Sequence, residues 1–206
     1  MVTLIRKDFR FCSKYVLIAI TFSLAAPLVL LIDGDNLYIM LSFFIPMVVL
    51  GVVLGKICYI EDCEEARLFL RALPYKRRSL VLSKYIESIM LNVISFIYVG
   101  IAQYMLMKDV SFGVIFKINL IASAFFLVYY SIYLYLYFTR NYYIAQNTAY
   151  VVVGALLIFM MFHKHNVFTK LSNSWLNNSW FIYCVFTVAL LLTFYSAYMV
   201  IARDKK

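Results

Sequence analysis

The chain has 206 residues, of which 65% are hydrophobic and 14% are charged, and its mean hydropathy is +0.88. Soluble domains carry roughly 45–50% apolar and about 25% charged residues, so the composition excludes a soluble domain and, equally, a disordered chain. The formal net charge is +9, but the basic residues cluster between apolar runs, which is typical of a protein facing an anionic membrane surface rather than a nucleic acid.

Residues 1–13 precede the first apolar run and have an amphipathic pattern. Apolar side chains recur at helical spacing, at Leu4, Ile5, Phe9 and Cys12. Basic side chains lie between them, at Arg6, Lys7 and Arg10. The pattern predicts a short helix on the inner membrane face. The alternative is a basic tail without fixed structure.

Six apolar runs follow, each close to the roughly 20 residues that a spanning helix needs. They occupy residues 15–32, 37–57, 85–107, 118–138, 144–162 and 180–201. Continuous apolar runs predict helices rather than short alternating strands. We therefore expect an all-α polytopic membrane protein with six transmembrane helices, forming a single domain over residues 1–206.

The orientation of the chain follows from its basic residues. Six crossings place both termini on one side, and that side carries 15 of the Lys and Arg residues against 4 on the other. Basic residues are enriched in cytoplasmic segments, so we predict that both termini lie in the cytoplasm.

Residues 58–84 form the one long polar segment on that side, and its first half has a helical pattern that Pro74 ends. Acidic residues come first, at Glu61, Asp62, Glu64 and Glu65. Basic residues come later, at Arg67 and Arg71, an order that suits the helix dipole. An apolar stripe includes Phe69, Leu70 and Leu73. Such a helix favours docking to a soluble partner over a simple basic loop that anchors two spans.

Residues 71–85, Arg-Ala-Leu-Pro-Tyr-Lys-Arg-Arg-Ser-Leu-Val-Leu-Ser-Lys-Tyr, resemble the segment after the cytosolic helix in permease subunits of ABC-2-type exporters. The whole plan is also similar: an amphipathic start, six spans, one long cytosolic loop between spans 2 and 3, and a basic tail. Within that family, the small size is most similar to the permeases that export phenol-soluble modulins and other antimicrobial peptides.

This resemblance implies a mechanism. The helix over residues 61–73 would be the coupling helix, seated in a groove of an ATP-binding cassette ATPase subunit. Two permeases, identical or paralogous, would pair in a bacterial cell membrane around a pathway for a hydrophobic or amphipathic substrate, with a peptide favoured. ATP and Mg²⁺ would bind in the ATPase subunit, and we expect no cofactor, metal or catalytic residue in this chain. In agreement, the sequence lacks the Gly-x-x-x-x-Gly-Lys-Ser/Thr loop that cradles ATP phosphates.

Polar side chains within the predicted spans are candidates for lining that pathway. They are Ser88, Asn92, Ser95 and Gln103 on the third span and Asn119 and Ser123 on the fourth. Tyr129 and Tyr133 add an aromatic stripe to the fourth span. The alternative role for each polar residue is hydrogen bonding between helices.

Two other specific functions remain open, beside a membrane-anchored interaction protein without transport. A passive substrate-capture subunit of a vitamin uptake transporter also has six spans, but would dock through a separate scaffold subunit. An intramembrane protease needs histidines at membrane depth, whereas His163 and His165 both lie in a predicted external loop. The second alternative is therefore the weaker one.

Overall fold

The computed structural model describes residues 2–30, 37–63, 77–106, 111–162 and 179–203. Within these ranges every regular element is an α-helix. The helices are α1 (Val2–Phe11), α2 (Ser13–Leu30), α3 (Leu37–Asp62), α4 (Arg77–Leu106), α5 (Phe112–Thr139), α6 (Tyr142–Phe162) and α7 (Ser179–Arg203). The all-helical class predicted from the continuous apolar runs is confirmed for this part of the chain.

The chain turns sharply between α1 and α2, whose axes differ in direction by 71°. Leu4, Asp8 and Cys12 are buried, whereas Arg6 and Arg10 are exposed. Helix α1 therefore has one buried and one basic face, and the interfacial amphipathic helix expected over residues 1–13 stays a prediction.

Four of the described helices, α3, α4, α5 and α7, are long and apolar enough to cross a membrane. The bent pair of α1 and α2 counts as a fifth if it is taken as one broken span. The chain is therefore a multi-pass membrane protein by length and composition. The predicted total of six spans stays a prediction.

Helices α3 and α4 extend beyond the apolar runs that predicted them. Helix α3 continues to Asp62, past the run that ends at residue 57, and α4 begins at Arg77, ahead of the run that begins at residue 85. Backbone hydrogen bonding does not stop where lipid contact stops, so a helix continues while its polar side chains find partners. The extensions bring Glu61 and Lys84 together.

Helix α5 lies at the centre of the described fold and packs against α3, α4, α6 and α7. The main core cluster joins Leu50 and Leu54 of α3 to Tyr130 and Leu134 of α5. Large apolar side chains on α2 and α7 point away from this core and are exposed. In a bilayer, such faces are available to lipid or to another membrane chain.

Candidate functional site

A buried cluster of charged side chains joins α1, α3 and α4. We call it the ion cluster: Lys7, Asp8, Glu61, Lys84 and Glu87. The Lys84 ammonium lies at its centre, with Nζ 2.6 Å from Asp8 Oδ2 and 3.0 Å from Glu61 Oε1. Glu87, one turn along the same helix, has Oε2 at 3.6 Å from that Nζ. Lys84 and Glu87 are both 0% exposed.

Lys7 closes the cluster on its outer side. Its Nζ lies 3.1 Å from Asp8 Oδ1 and donates a hydrogen bond of 3.2 Å to Glu61 Oε1. Each of the Asp8 and Glu61 carboxylates therefore contacts both ammonium groups. Three helices that are distant in sequence are held together at one point.

The cluster is possible because its charges are paired. An isolated buried charge is very unfavourable, and removing one partner of a buried pair is strongly destabilising. Burial on its own would raise the pKa of the Asp8 carboxyl. Attraction to Lys84 and Lys7, together with hydrogen bonding, lowers that pKa by more than burial raises it, so the net pKa lies below its ordinary value. Asp8 is therefore ionised at neutral pH.

Local sequence places each of these groups. Asp8 stands four residues after Leu4 and four before Cys12, so it faces inward with them along one side of α1. Glu61 belongs to the last turn of α3, while Lys84 and Glu87 are three residues apart on α4. The polar extensions of α3 and α4 thus carry the charges that meet α1.

The residues predicted for ATPase docking are only partly within the described ranges. Glu61 is buried and contacts Lys84 and Lys7, so its carboxylate faces the interior rather than an exposed docking surface. Asp62 is half-buried at the end of α3. The other predicted docking residues lie outside the described residues: Glu64, Glu65, Arg67, Phe69, Leu70, Arg71 and Leu73. The docking role stays a prediction.

Sequence analysis did not single out Asp8, Lys7 or Lys84 as site residues. One signal was present for Asp8. It is the only acidic residue ahead of Asp33, and it interrupts the apolar side of α1 between Leu4 and Cys12. A lone carboxyl on an apolar helix face indicates a buried cation partner. Nothing local, however, identifies Lys84 as that partner.

A second polar cluster lies near the opposite ends of α3 and α4. We call it the polar ring: Ser42, Gln103 and Asn119. Gln103 Nε2 donates to Ser42 Oγ at 2.9 Å, Ser42 Oγ donates to Asn119 Oδ1 at 2.6 Å, and Asn119 Nδ2 donates to Gln103 Oε1 at 2.8 Å. All three side chains are buried. The ring closes on itself and links α3, α4 and α5.

The remaining polar pathway candidates are also buried. Asn92 Nδ2 donates to Ser123 Oγ at 3.0 Å and to the Ser123 carbonyl at 3.1 Å, joining α4 to α5. Ser95 Oγ donates to the Leu91 carbonyl of its own helix at 2.8 Å. The structure does not bring Ser88 into the polar ring or this pair. These contacts favour packing between helices, and lining of a pathway stays a prediction.

The aromatic candidates lie between α5 and α6. Tyr129 donates to the Ala149 carbonyl at 3.2 Å, and Tyr133 donates to Gln146 Oε1 at 3.5 Å. A cavity of about 140 Å³ lies beside them, with Phe125 and Thr148 also in its wall. The space is narrow and mostly apolar.

Residues 3–202 of the chain match the model of a family described as ABC-2 family transporter protein. The match covers nearly the whole chain, including every residue of the ion cluster and the polar ring. No curated protein and no solved structure matches the chain.

Proposed function

The chain belongs to the ABC-2 family of transporter proteins, and on that premise we propose that it is the permease of an ATP-driven exporter of hydrophobic or amphipathic peptides in a bacterial cell membrane. Membership makes it a multi-pass membrane protein and a transport subunit rather than an enzyme. It therefore argues against the intramembrane protease alternative.

The energy for transport is expected from a separate ATPase subunit, because the sequence contains no phosphate-binding loop. We place the docking contact on the helix predicted over residues 61–73. The observation that carries this proposal is the 3.0 Å ion pair between Glu61 and Lys84, which joins the two helices that flank this segment. Asp8 attaches α1 to the same point.

This arrangement supports a simple means of coupling. A push on the docking segment reaches α3 through Glu61 and α4 through Lys84, and α1 moves with them as long as the ion cluster holds. Removing one partner of a buried ion pair costs roughly 3–5 kcal/mol. Shifting a two-state equilibrium from 1:99 to 99:1 takes about 5.5 kcal/mol. The free energy lost on breaking the ion cluster is thus comparable to the free energy needed to shift the transport equilibrium.

The cavity beside Tyr129 and Tyr133 supports the substrate class. Its wall is mostly apolar and includes tyrosine rings whose hydroxyl groups already bond to α6. At about 140 Å³ it is too small for a peptide, so we propose that the pathway forms where two permeases meet, whether they are identical or paralogous. Exposed apolar faces on α2 and α7 are available for such pairing.

Co-purification with the cognate ATP-binding cassette subunit tests the proposal. We expect wild-type permease to retain the ATPase directly, and Glu65→Lys or Arg67→Glu to weaken retention, because both changes reverse a charge in the docking segment. Lys117→Gln, near the predicted external end of α5, is the matched control and should retain the ATPase normally.

Normal ATPase retention and transport by both docking variants would contradict the docking assignment. A requirement for a third scaffold subunit would instead support the vitamin-uptake alternative.

A further inference from the structure

The ion cluster contains more carboxyl groups than ammonium groups. Within the described residues, Asp8, Glu61 and Glu87 face two ammonium groups, those of Lys7 and Lys84, so full ionisation of these five groups would leave one buried negative charge uncompensated. Such a charge is expensive in a low-dielectric environment, and binding a proton removes it. A metal cation is a poor candidate for the same place, because two ammonium groups already occupy it.

The contacts of the three carboxyl groups are unequal. Asp8 and Glu61 each lie within 3.2 Å of both ammonium groups. Glu87 is 0% exposed, its nearest ammonium is 3.6 Å away, and within the described ranges neither of its oxygens has a hydrogen-bond partner. Glu87 is thus the carboxyl least supported as an anion.

The neighbour of Glu87 gives a second reason. Asp8 and Glu87 both lie against the Lys84 ammonium, with Asp8 Oδ2 at 2.6 Å and Glu87 Oε2 at 3.6 Å from Nζ. Two carboxylates that share one cation repel each other, and a proton on one of them removes that repulsion. Asp8 already accepts a hydrogen bond from Lys84 at 2.6 Å, which leaves Glu87 as the carboxyl that takes the proton.

We infer that Glu87 holds a proton at neutral pH, so that the ion cluster is a neutral proton-binding site where α1 meets α4. Among the described residues, the groups that face this site are Lys7, Asp8 and Cys12 from the N-terminal region, Cys58 and Glu61 from α3, and Lys84 from α4 itself. The two thiols are ordinarily neutral below about pH 8.5. The inference does not depend on the transport role.

Loss of the proton would weaken the contact. Hydroxide would take the proton as water and leave Glu87 as an anion beside the Asp8 anion, with no donor added. The two carboxylates, which lie on different helices, would then repel each other. Alkaline pH is therefore expected to loosen α1 from α4.

Infrared spectroscopy and thermal unfolding of the purified full-length protein test this inference. We expect the wild type to show the C=O stretch of a protonated carboxylic acid at neutral pH, shifted in Glu87→Asp and absent in Glu87→Gln. The thermal midpoint of the wild type should fall by several degrees as the pH rises through the disappearance of that band. Glu87→Gln keeps a neutral side chain of nearly the same shape, so its midpoint should be close to the wild-type value at neutral pH and should lack this alkaline decrease.

Glu61→Gln is the matched control, because it removes a carboxylate that contacts both ammonium groups. Its midpoint should already be lower at neutral pH. The inference is overturned if the neutral-pH spectrum has no protonated-acid band, or if Glu87→Gln leaves that band unchanged. It is also overturned if Glu87→Gln destabilises the protein at neutral pH as much as Glu61→Gln does. If neither Glu87 variant folds, the presence or absence of the wild-type band at neutral pH decides.

Discussion

The ion cluster and the polar ring are built on the same two helices at opposite ends. Nineteen residues separate Ser42 from Glu61 on α3, and nineteen separate Gln103 from Lys84 on α4. At 1.5 Å per residue the two clusters lie about 28 Å apart along the helix axes. This is close to the roughly 30 Å thickness of a bilayer hydrocarbon core, so each cluster is expected near one membrane boundary.

The two clusters differ in how their polar groups are paired. The polar ring is neutral, and its three side chains form a closed circuit of hydrogen bonds. The ion cluster has a surplus carboxyl, and its buried Glu61 Oε2 and both Glu87 oxygens lack hydrogen-bond donors within the described ranges. A closed neutral ring favours fixed helix positions, whereas we expect an unbalanced charged cluster to respond to pH. The contacts therefore favour packing at one end, and the proposed coupling would use the other.

The largest change in stability that distinguishes the ion cluster from the polar ring is expected for Lys84→Met. Removing the central ammonium leaves buried carboxylates facing one another, which should destabilise the fold by about 3–5 kcal/mol. Thermal unfolding in detergent, followed by loss of monodisperse protein, measures it.

Lys14→Met is the control for Lys84→Met, because Lys14 is exposed and most surface substitutions change stability by about 0.5 kcal/mol or less. Equal stability of the two variants would show that the ion cluster does not hold the helices together.

The next largest effect is the loss of the stability that Asp8 contributes, and this loss depends on pH. Hydrogen bonds to charged partners contribute about 1.5–3 kcal/mol, so Asp8→Asn should be less stable than the wild type by that order at pH 7. Because the folded-state pKa of Asp8 lies below its ordinary value, this contribution is present above about pH 4 and is lost as the pH falls through the folded-state pKa. Thermal midpoints across this range should show the difference between the two proteins shrinking, and a difference independent of pH would contradict the ion-pair assignment.

A smaller loss of stability is expected for substitutions in the polar ring. Asn119→Leu leaves Gln103 and Ser42 without two of their ring contacts, and interhelical hydrogen bonds in membranes contribute about 0.6 kcal/mol on average and up to about 1.7. The loss should not change with pH between 5 and 9, unlike changes in the ion cluster. A double-mutant cycle with Gln103→Leu measures the coupling, and strict additivity would contradict the closed ring.

The smallest effect is expected on α3 between the two clusters. A Cβ atom at Gly55 would meet nothing within 4 Å in the described part of the chain. Gly55→Ala should therefore be neutral or stabilising by up to about 1 kcal/mol, because alanine favours helices. A clear loss of stability or of permease pairing would instead indicate that another chain packs at this glycine.

Much of the fold follows from apolar runs alone. The runs at 144–162 and 180–201 correspond to α6 and α7 to within two residues at each end, because burial in lipid requires both helix formation and apolar composition. The runs could not predict how far α3 and α4 continue, since those extensions depend on Glu61 and Lys84 finding partners on other helices.

The ion cluster was harder to predict from the sequence than the helices were. Helical spacing predicts which residues share a face of one helix, but not which faces of different helices meet. Lys84 was considered as a basic residue that orients the protein and as part of the family-like segment over residues 71–85, yet it is buried against Asp8, seventy-six residues earlier. For the polar candidates the sequence left packing and pathway open, and the contacts of Asn92 and Gln103 favour packing.

The most direct test of coupling through the ion cluster is the affinity of the cognate ATPase subunit for the permease in nanodiscs. The account predicts that Asp8→Asn, which alters a buried side chain outside the docking segment, weakens ATPase binding several-fold relative to the wild type and to Lys117→Gln. Equal affinities for all three proteins would contradict the claim that the ion cluster connects the docking segment to the rest of the fold.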